Sequence, residues 1–250
     1  MQVLAPELFH REYLESGKRL DHRQITDGRA VTITHKCLDD FPSSSLVSLG
    51  KTIVVTAVSI KPQPISPSLT VNVQRSVVST VKGKSSCDKT LTAMLLAIAP
   101  KILSPADLEI ARPDPHDIYM TAVKVWSFNL DIHQTIISDD GAVEVALILG
   151  FEEALSCLEL PIYTLDSECQ LVQTPETRQL PLLPITGMRF GLLNDMLFFD
   201  PTNDEEKIID GCCTIIMSKE DEPKILKLST TGTFCLTEEL IANMVNACCK

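Results

Sequence analysis

The residues best placed to do chemistry with an anion are five cations crowded into one stretch. Lys51, Lys61, Arg75, Lys82 and Lys84 fall between Phe41 and Cys87, a segment of 47 residues without a single Asp or Glu. That segment carries +5, while the whole chain of 250 residues is at −11, so the remainder carries −16. Such a separation fits contacts with a phosphate backbone made locally, whereas the acidic balance of the whole opposes spontaneous attraction to a polyanion. Uneven scatter of surface lysines explains Lys51 and Lys61 equally well, since both flank a predicted strand.

Other chemistries find less support. The nine cysteines are odd in number, include the adjacent pairs Cys212–Cys213 and Cys248–Cys249, and form no CxxC, so buried reduced thiols are expected rather than disulfides or zinc. His10, His22, His35, His116 and His133 are scattered without metal-ligand spacing, and neither a metal nor a cofactor is expected. Walker, GxGxxG and GxSxG motifs are missing, and 5% aromatics leave few surfaces for base stacking. No run reaches the ~20 apolar residues of a membrane span, and the N-terminus lacks the order of a secretory signal, so a soluble intracellular protein is expected.

The elements that must position these groups alternate between strands and helices. Pro6 to Ser16 reads as a helix with Leu8, Phe9, Tyr13 and Leu14 on its apolar side and Gly17 as its stop. Ala30 to Thr34, Ser45 to Leu49 and Thr52 to Ile60 read as strands, the last two joined at Leu49-Gly50-Lys51. Lys61 to Ser86, with Pro62, Pro64 and Pro67, reads as loop broken by β-like Leu69 to Val73 and Ser76 to Val81. Leu91, Met94, Leu95, Ile98 and Ile102 give Cys87 to Leu103 a helical period, with Ser85, Ser86 or Asp88 available as cap.

Ile118 to Ile132 has strand composition, and Asp139-Asp140-Gly141 opens an apolar helix from about Ala142 to Leu158. Hairpins follow at Met188 to Leu193 with Met196 to Asp200, and at Cys212 to Met217 with Lys224 to Leu228. Thr237 caps a last helix carrying Leu240, Ile241, Met244 and Val245. Strands outnumber helices, and the class is α+β with mixed sheets packed against helices.

Four stretches, taken in order, resemble the RNase PH family and specifically its non-catalytic exosome branch. Arg19-Leu20-Asp21-His22-Arg23 is similar to the family's RPDGR element. Ser44 to Val54, SSLVSLGKTIV, is similar to its SALVKLGNTTV hairpin. Val125-Trp126 through Leu130-Asp131 to Asp139-Asp140-Gly141 resembles its strand, turn and DG-opened helix. Phe199-Asp200-Pro201-Thr202 with Glu205-Glu206 and Asp210-Gly211 resembles its VDPTxxEE segment. His22 stands where the family has glycine and Lys51 where it has asparagine.

The resemblance implies a single RNase PH-type domain over residues 1–250, a ribosomal protein S5 domain 2-like fold preceded by the short helix 6–16. In catalytic members a DGGTR-like turn holds inorganic phosphate with backbone N–H groups, a hydroxyl and an arginine. Here the matching run is Asp140-Gly141-Ala142-Val143-Glu144, so Val143 takes the hydroxyl position and Glu144 the arginine position. A reversed unit charge at ~4 Å is worth ~4 kcal/mol at an effective dielectric of 20, more than the ~0.3–1 kcal/mol a helix dipole restores. Glu144 also suits a helix's first turn for its own sake. Asp200 and Glu206 resemble the carboxylate pair that supplies acid chemistry in active relatives, while Asp200-Pro201 equally starts an ordinary turn.

The implied role is a silent subunit, with no catalytic residue, of a six-membered ring of RNase PH-type subunits carrying cap proteins and separate nucleases. It would line a path for single-stranded RNA in 3′-to-5′ processing and decay, in nucleus, nucleolus and cytoplasm, away from membranes. By the same resemblance Arg75, Lys82 and Lys84 face the channel and contact RNA phosphates. The competing reading from the enzyme class is an active phosphate-dependent 3′-to-5′ exoribonuclease.

Overall fold

A computed structural model describes residues 6–64, 66–76, 88–111, 126–166, 171–194 and 196–248. After α1 (Pro6–Glu15), strands β1 (Val31–His35), β2 (Ser43–Leu49) and β3 (Thr52–Gln63) form an antiparallel meander. β4 (Ser68–Arg75) leads towards α2 (Lys89–Ile102), then come a 3-10 turn at Pro105–Leu108, β5 (Glu109–Ala111) and β6 (Trp126–Ser138). β6 enters antiparallel to β3 and parallel to β4, giving the order β1-β2-β3-β6-β4, with β5 also on β6.

α3 (Val143–Ser156) is followed by the hairpin β7 (Glu159–Leu165) and β8 (Leu171–Gln179). Then β9 (Ile185–Leu193), β10 (Met196–Phe199), the single turn α4 (Asn203–Glu206), β11 (Gly211–Ser218) and β12 (Ile225–Gly232) build a four-stranded antiparallel sheet, ordered β10-β9-β11-β12. α5 (Glu238–Cys248) packs on β9 and β11. The fold is α+β with mixed sheets, as the sequence predicts.

α3 joins the two sheets. It touches β2 and β3 on one side and β9 and β11 on the other, which explains why Val145, Ala146, Leu147, Ile148, Phe151, Ala154 and Leu155 are buried all around it. Its close approach to β2 is set by small residues. Ser43 Oγ donates to Ala154 O and Ser45 Oγ to Gly150 O, and a Cβ on Gly150 would lie 2.6 Å from Thr56 Oγ1. α2 covers β4 with Leu91, Met94, Leu95, Ile98 and Ile102, all buried as their spacing predicts. Of the three cap candidates, Asp88 accepts from Leu91 N.

Several expectations need correction. Leu8 points outward, 60% exposed, and Leu14 is the residue of α1 that reaches the core. β3 continues through Pro62, which pairs with Phe128 at the far end of the strand, so Lys61 to Gln63 are strand and not loop. β4 is one strand running to Arg75, whereas the expected strand Ser76 to Val81 lies, beyond Ser76, outside the described residues. Residues 118–125 of the expected strand Ile118 to Ile132 likewise fall outside them. β6 itself runs on to Ser138, and the buried Gln134 is accommodated there because its Nε2 donates to Thr56 Oγ1 and Leu147 O. The β7–β8 hairpin has no counterpart among the predicted elements. Of the thiols expected to be buried, Cys212 and Cys213 are, Cys37, Cys157 and Cys248 are half-buried, and Cys235 is exposed.

Candidate functional site

The chemistry-bearing motifs converge on two adjoining places, a buried arginine cluster and an open cleft. In the cluster, Arg19 is fully buried and makes a two-point pair with Glu205, Nε to Oε1 at 2.9 Å and Nη2 to Oε2 at 2.6 Å. Its remaining donors reach the carbonyls of Phe199, Asp200 and Asp27. Arg29 grips Asp200 in the same way, Nε to Oδ2 at 2.7 Å and Nη2 to Oδ1 at 2.6 Å, and donates onward to the carbonyls of Asp140 and Gly141. Burial disfavours the Arg29 charge, but the carboxylates of Asp200, Asp140 and Glu205 together more than offset it and raise the pKa. Arg23 adds a contact to Asp200 Oδ2 at 3.4 Å.

Two local conformations make this possible. His22 adopts φ +64°, a left-handed turn in which the side chain of any residue but glycine is strained. Gly141 sits at φ +86°, and a Cβ there would lie 2.7 Å from Pro201 O and 2.8 Å from Asn203 N. Thr52 Oγ1 clamps the same turn, donating to Gly141 O and accepting from Asp140 N.

The cleft, about 720 Å³, opens at the N-terminus of α3. It is lined by Arg75, Asp88, Lys89, Asp139, Gly141, Ala142, Val143, Glu144, Arg189, Asn203 and Glu206, among others. Four carboxylates face three cations there. Arg189, from the apolar strand β9, meets two of these carboxylates. Its Nε and Nη2 hold Glu206 at 2.7 and 3.0 Å, its Nη1 donates to Thr214 Oγ1, and Glu144 Oε2 lies 3.6 Å away. Burial lowers the Arg189 pKa and the Glu206 pair raises it further, so the net shift is upward.

Two backbone donors at this turn already have acceptors. Ala142, the N-cap of α3, has no side-chain cap, and its N–H donates to Glu206 Oε1 at 3.2 Å. Gly141 N donates to Asp139 Oδ1 at 3.2 Å. Glu206 thus holds the position between a helix N-terminus and an arginine that a bound phosphate would take. Arg75 is also engaged, with Asp139 at 2.5 Å and Asp88 at 3.3 Å.

The chain is similar to several known proteins. The model of the RNase PH C-terminal part, described as 3′ exoribonuclease family, domain 2, matches residues 184–250. The exosome complex component Rrp42 of Pyrococcus abyssi is 26% identical over 241 residues, 92% of this chain and 85% of that one. The exosome complex component RRP45 of Danio rerio is 26% identical over 247 residues, 94% of this chain and 60% of that one. An archaeal exosome core superposes with a TM-score of 0.73 at 20% identity, covering 100% of this chain and 95% of that one. An Archaeoglobus fulgidus exosome with RNA bound to the active site gives 0.75 at 18%, covering 98% and 95%. The fold is that of the exosome subunits it superposes on, and residues 184–250 resemble the second domain of the 3′ exoribonuclease family.

Within the RNase PH fold, Val143, Glu144 and Glu206 share one cleft, while Asp200 does not line it. Asp200, only 7% exposed and at φ +49°, is held by Arg29, whereas Glu206 is held by Arg189. Arg75 lines the cleft, and Lys82 and Lys84 lie outside the described residues. Arg29 and Arg189 escape the sequence reading. The available signal for Arg189 is a single cation within the apolar run Met188 to Leu193, which must find a carboxylate if buried.

Proposed function

We propose that this chain is a non-catalytic subunit of an exosome ring, supplying ring geometry and part of the RNA path for 3′-to-5′ RNA processing and decay. One observation carries the catalytic half of the reading: the Glu206 carboxylate accepts from Ala142 N at the start of α3 and holds Nε and Nη2 of Arg189, with Glu144 beside Nη1. An inorganic phosphate entering there would meet a carboxylate where it needs donors. The exosome components among its relatives support the assembly half.

Its partners would then be other RNase PH-type subunits, cap proteins and associated nucleases, in nucleus, nucleolus and cytoplasm. Among sister subunits, the PELF…REYLESGKR helix directly before RLDHR is most like ribosomal RNA-processing protein 43. Lys82 and Lys84, with Arg75, would contact RNA backbone in the assembled ring. Because Asp139 and Asp88 already neutralise Arg75, the two lysines would carry the larger share.

The deciding experiment combines the purified chain with RNA and phosphate, alone and after reconstitution with ring partners. The chain alone should release no nucleoside diphosphate, and it should enter a stoichiometric heteromeric ring. Phosphate-dependent release by the chain alone would replace this reading with the active-enzyme one. In the reconstituted ring, K82A/K84A should flatten the salt dependence of RNA binding by about 0.7 for each RNA phosphate that the ring no longer neutralises; an unchanged slope removes the RNA role.

A further inference from the structure

Away from the cleft, three chemically active side chains meet where α3 ends against the outer strand of the six-stranded sheet. Glu153 and Cys157 lie four residues apart, so they share one face of the last turn of α3. β1 ends at His35, whose ring is placed between them. His35 Nδ1 is 3.2 Å from Cys157 Sγ, and His35 Nε2 is 4.0 Å from Glu153 Oε2. The order is thiol, imidazole, carboxylate, contributed by two elements far apart in sequence. All three are reachable: Cys157 is half-buried, His35 45% exposed and Glu153 30% exposed.

We propose that Cys157 is a reactive thiol, modified reversibly by small disulfides of the glutathione type, with His35 as its base and Glu153 as the group that orients the ring. The Glu153 charge, 4.0 Å from Nε2 and so without a hydrogen bond, favours a proton there and leaves Nδ1 to accept from the thiol. As Sγ attacks one sulfur of the disulfide, Nδ1 takes the thiol proton. A new S–S bond forms to Cys157, the old S–S bond breaks, and the departing thiolate receives that proton. Cys157 is oxidised and the disulfide is the oxidant, so the step balances without another reactant.

The setting makes the imidazole necessary. Cys157 is the C-cap of α3, where its N–H bonds back to Glu153 O and Leu155 O, and the negative end of a helix opposes a thiolate while favouring a cationic ring. Two other thiols are held inert by their surroundings. Cys212 and Cys213 are buried, and burial pushes both up to about 11. Cys235 is exposed, making it an internal reference for accessibility alone. Modification by a small diffusing disulfide requires no enclosed cavity, only an open approach to the sulfur. The adduct would sit beside β1, the edge of the sheet.

The test exposes the full-length chain to glutathione disulfide near neutral pH and follows each cysteine by peptide mass mapping. Cys157 should acquire the adduct at least about tenfold faster than Cys235, a floor below the roughly 10²–10⁴-fold that general-base assistance typically provides. H35Q should bring Cys157 down to the rate of Cys235 and leave Cys235 itself unchanged, and E153Q should produce a smaller loss. If Cys157 reacts no faster than Cys235 in the unmodified chain, or if neither substitution slows it, the proposal is overturned. The comparison of the two cysteines within one molecule needs no variant to fold.

Discussion

Replacing Glu206 by glutamine should turn the cleft from a site filled by its own carboxylate into one that accepts phosphate. The amide keeps the size and an acceptor for Arg189 and Ala142 N but removes one negative charge, so four carboxylates against three cations become three against three. A unit charge at ~4 Å in a dielectric of 20 is worth ~4 kcal/mol. Because the Glu206 side chain is 22% exposed, screening and relaxation leave about a third of that, or about tenfold in phosphate affinity.

Melting curves in phosphate, matched in ionic strength by chloride, read this directly. If phosphate is present at about the dissociation constant of the unmodified chain, linkage stabilises that chain by ~0.4 kcal/mol and E206Q by ~1.4 kcal/mol. The ~1 kcal/mol difference corresponds to about 2–4 °C at this chain length. In chloride alone E206Q should be the less stable protein by ~1–3 kcal/mol, since Arg189 loses a charge-assisted partner. Equal phosphate shifts in both proteins would show that Glu206 does not block the anion position, and a self-occupied cleft could no longer support the proposed non-catalytic role.

Three further outcomes test other parts of the structure. R19M should cost about 3–5 kcal/mol in urea unfolding by stranding the buried Glu205 carboxylate, and adding E205Q should recover part of it; a cost under about 1 kcal/mol would mean that the pair contributes little. G141A should destabilise by about 1–3 kcal/mol or more, because φ is +86° and the new Cβ meets backbone atoms of the Pro201–Asn203 segment; a melting temperature unchanged from the parent would contradict that crowding. Burial raises the Glu152 carboxyl above its ordinary 4.5, so its ionisation opposes folding as pH rises through the elevated value. E152Q should therefore be more stable than the parent at neutral pH, with the gap closing as pH falls below 4.5; a gap that widens on acidification would reverse the sign.

What the sequence discloses is local, and what it withholds is pairing at a distance. Leu91, Met94, Leu95, Ile98 and Ile102 announce the buried face of α2, and Gly50 between β-branched runs announces the β2–β3 turn, since both signals lie within a few residues. β6 is longer than its composition suggests because His133 and Gln134 resemble an interruption. Gln134 faces the core, where Thr56, 78 residues away, accepts from its Nε2. β8 gives little signal because it is mostly exposed along its length and contains Pro175. In the cleft, Val143 and Glu144 are found by their place beside Asp140-Gly141, whereas Arg189 is 45 residues from Glu144. Nothing local says which of 22 cations meets which of 33 carboxylates.

The position of β6 in the middle of its sheet has a consequence for how the chain is made. β1, β2 and β3 can pair as soon as they leave the ribosome, but the outer edge of β3 must wait for a strand that comes much later. Val58 pairs with Ile132, 74 residues further on. At synthesis rates of roughly 5–20 residues per second, that edge stays open for roughly 4–15 s. β4 cannot close it, because its neighbour is β6 and not β3. During that interval the nascent chain displays an unpaired strand rich in valine and isoleucine, the kind of surface chaperones bind and neighbouring chains invade.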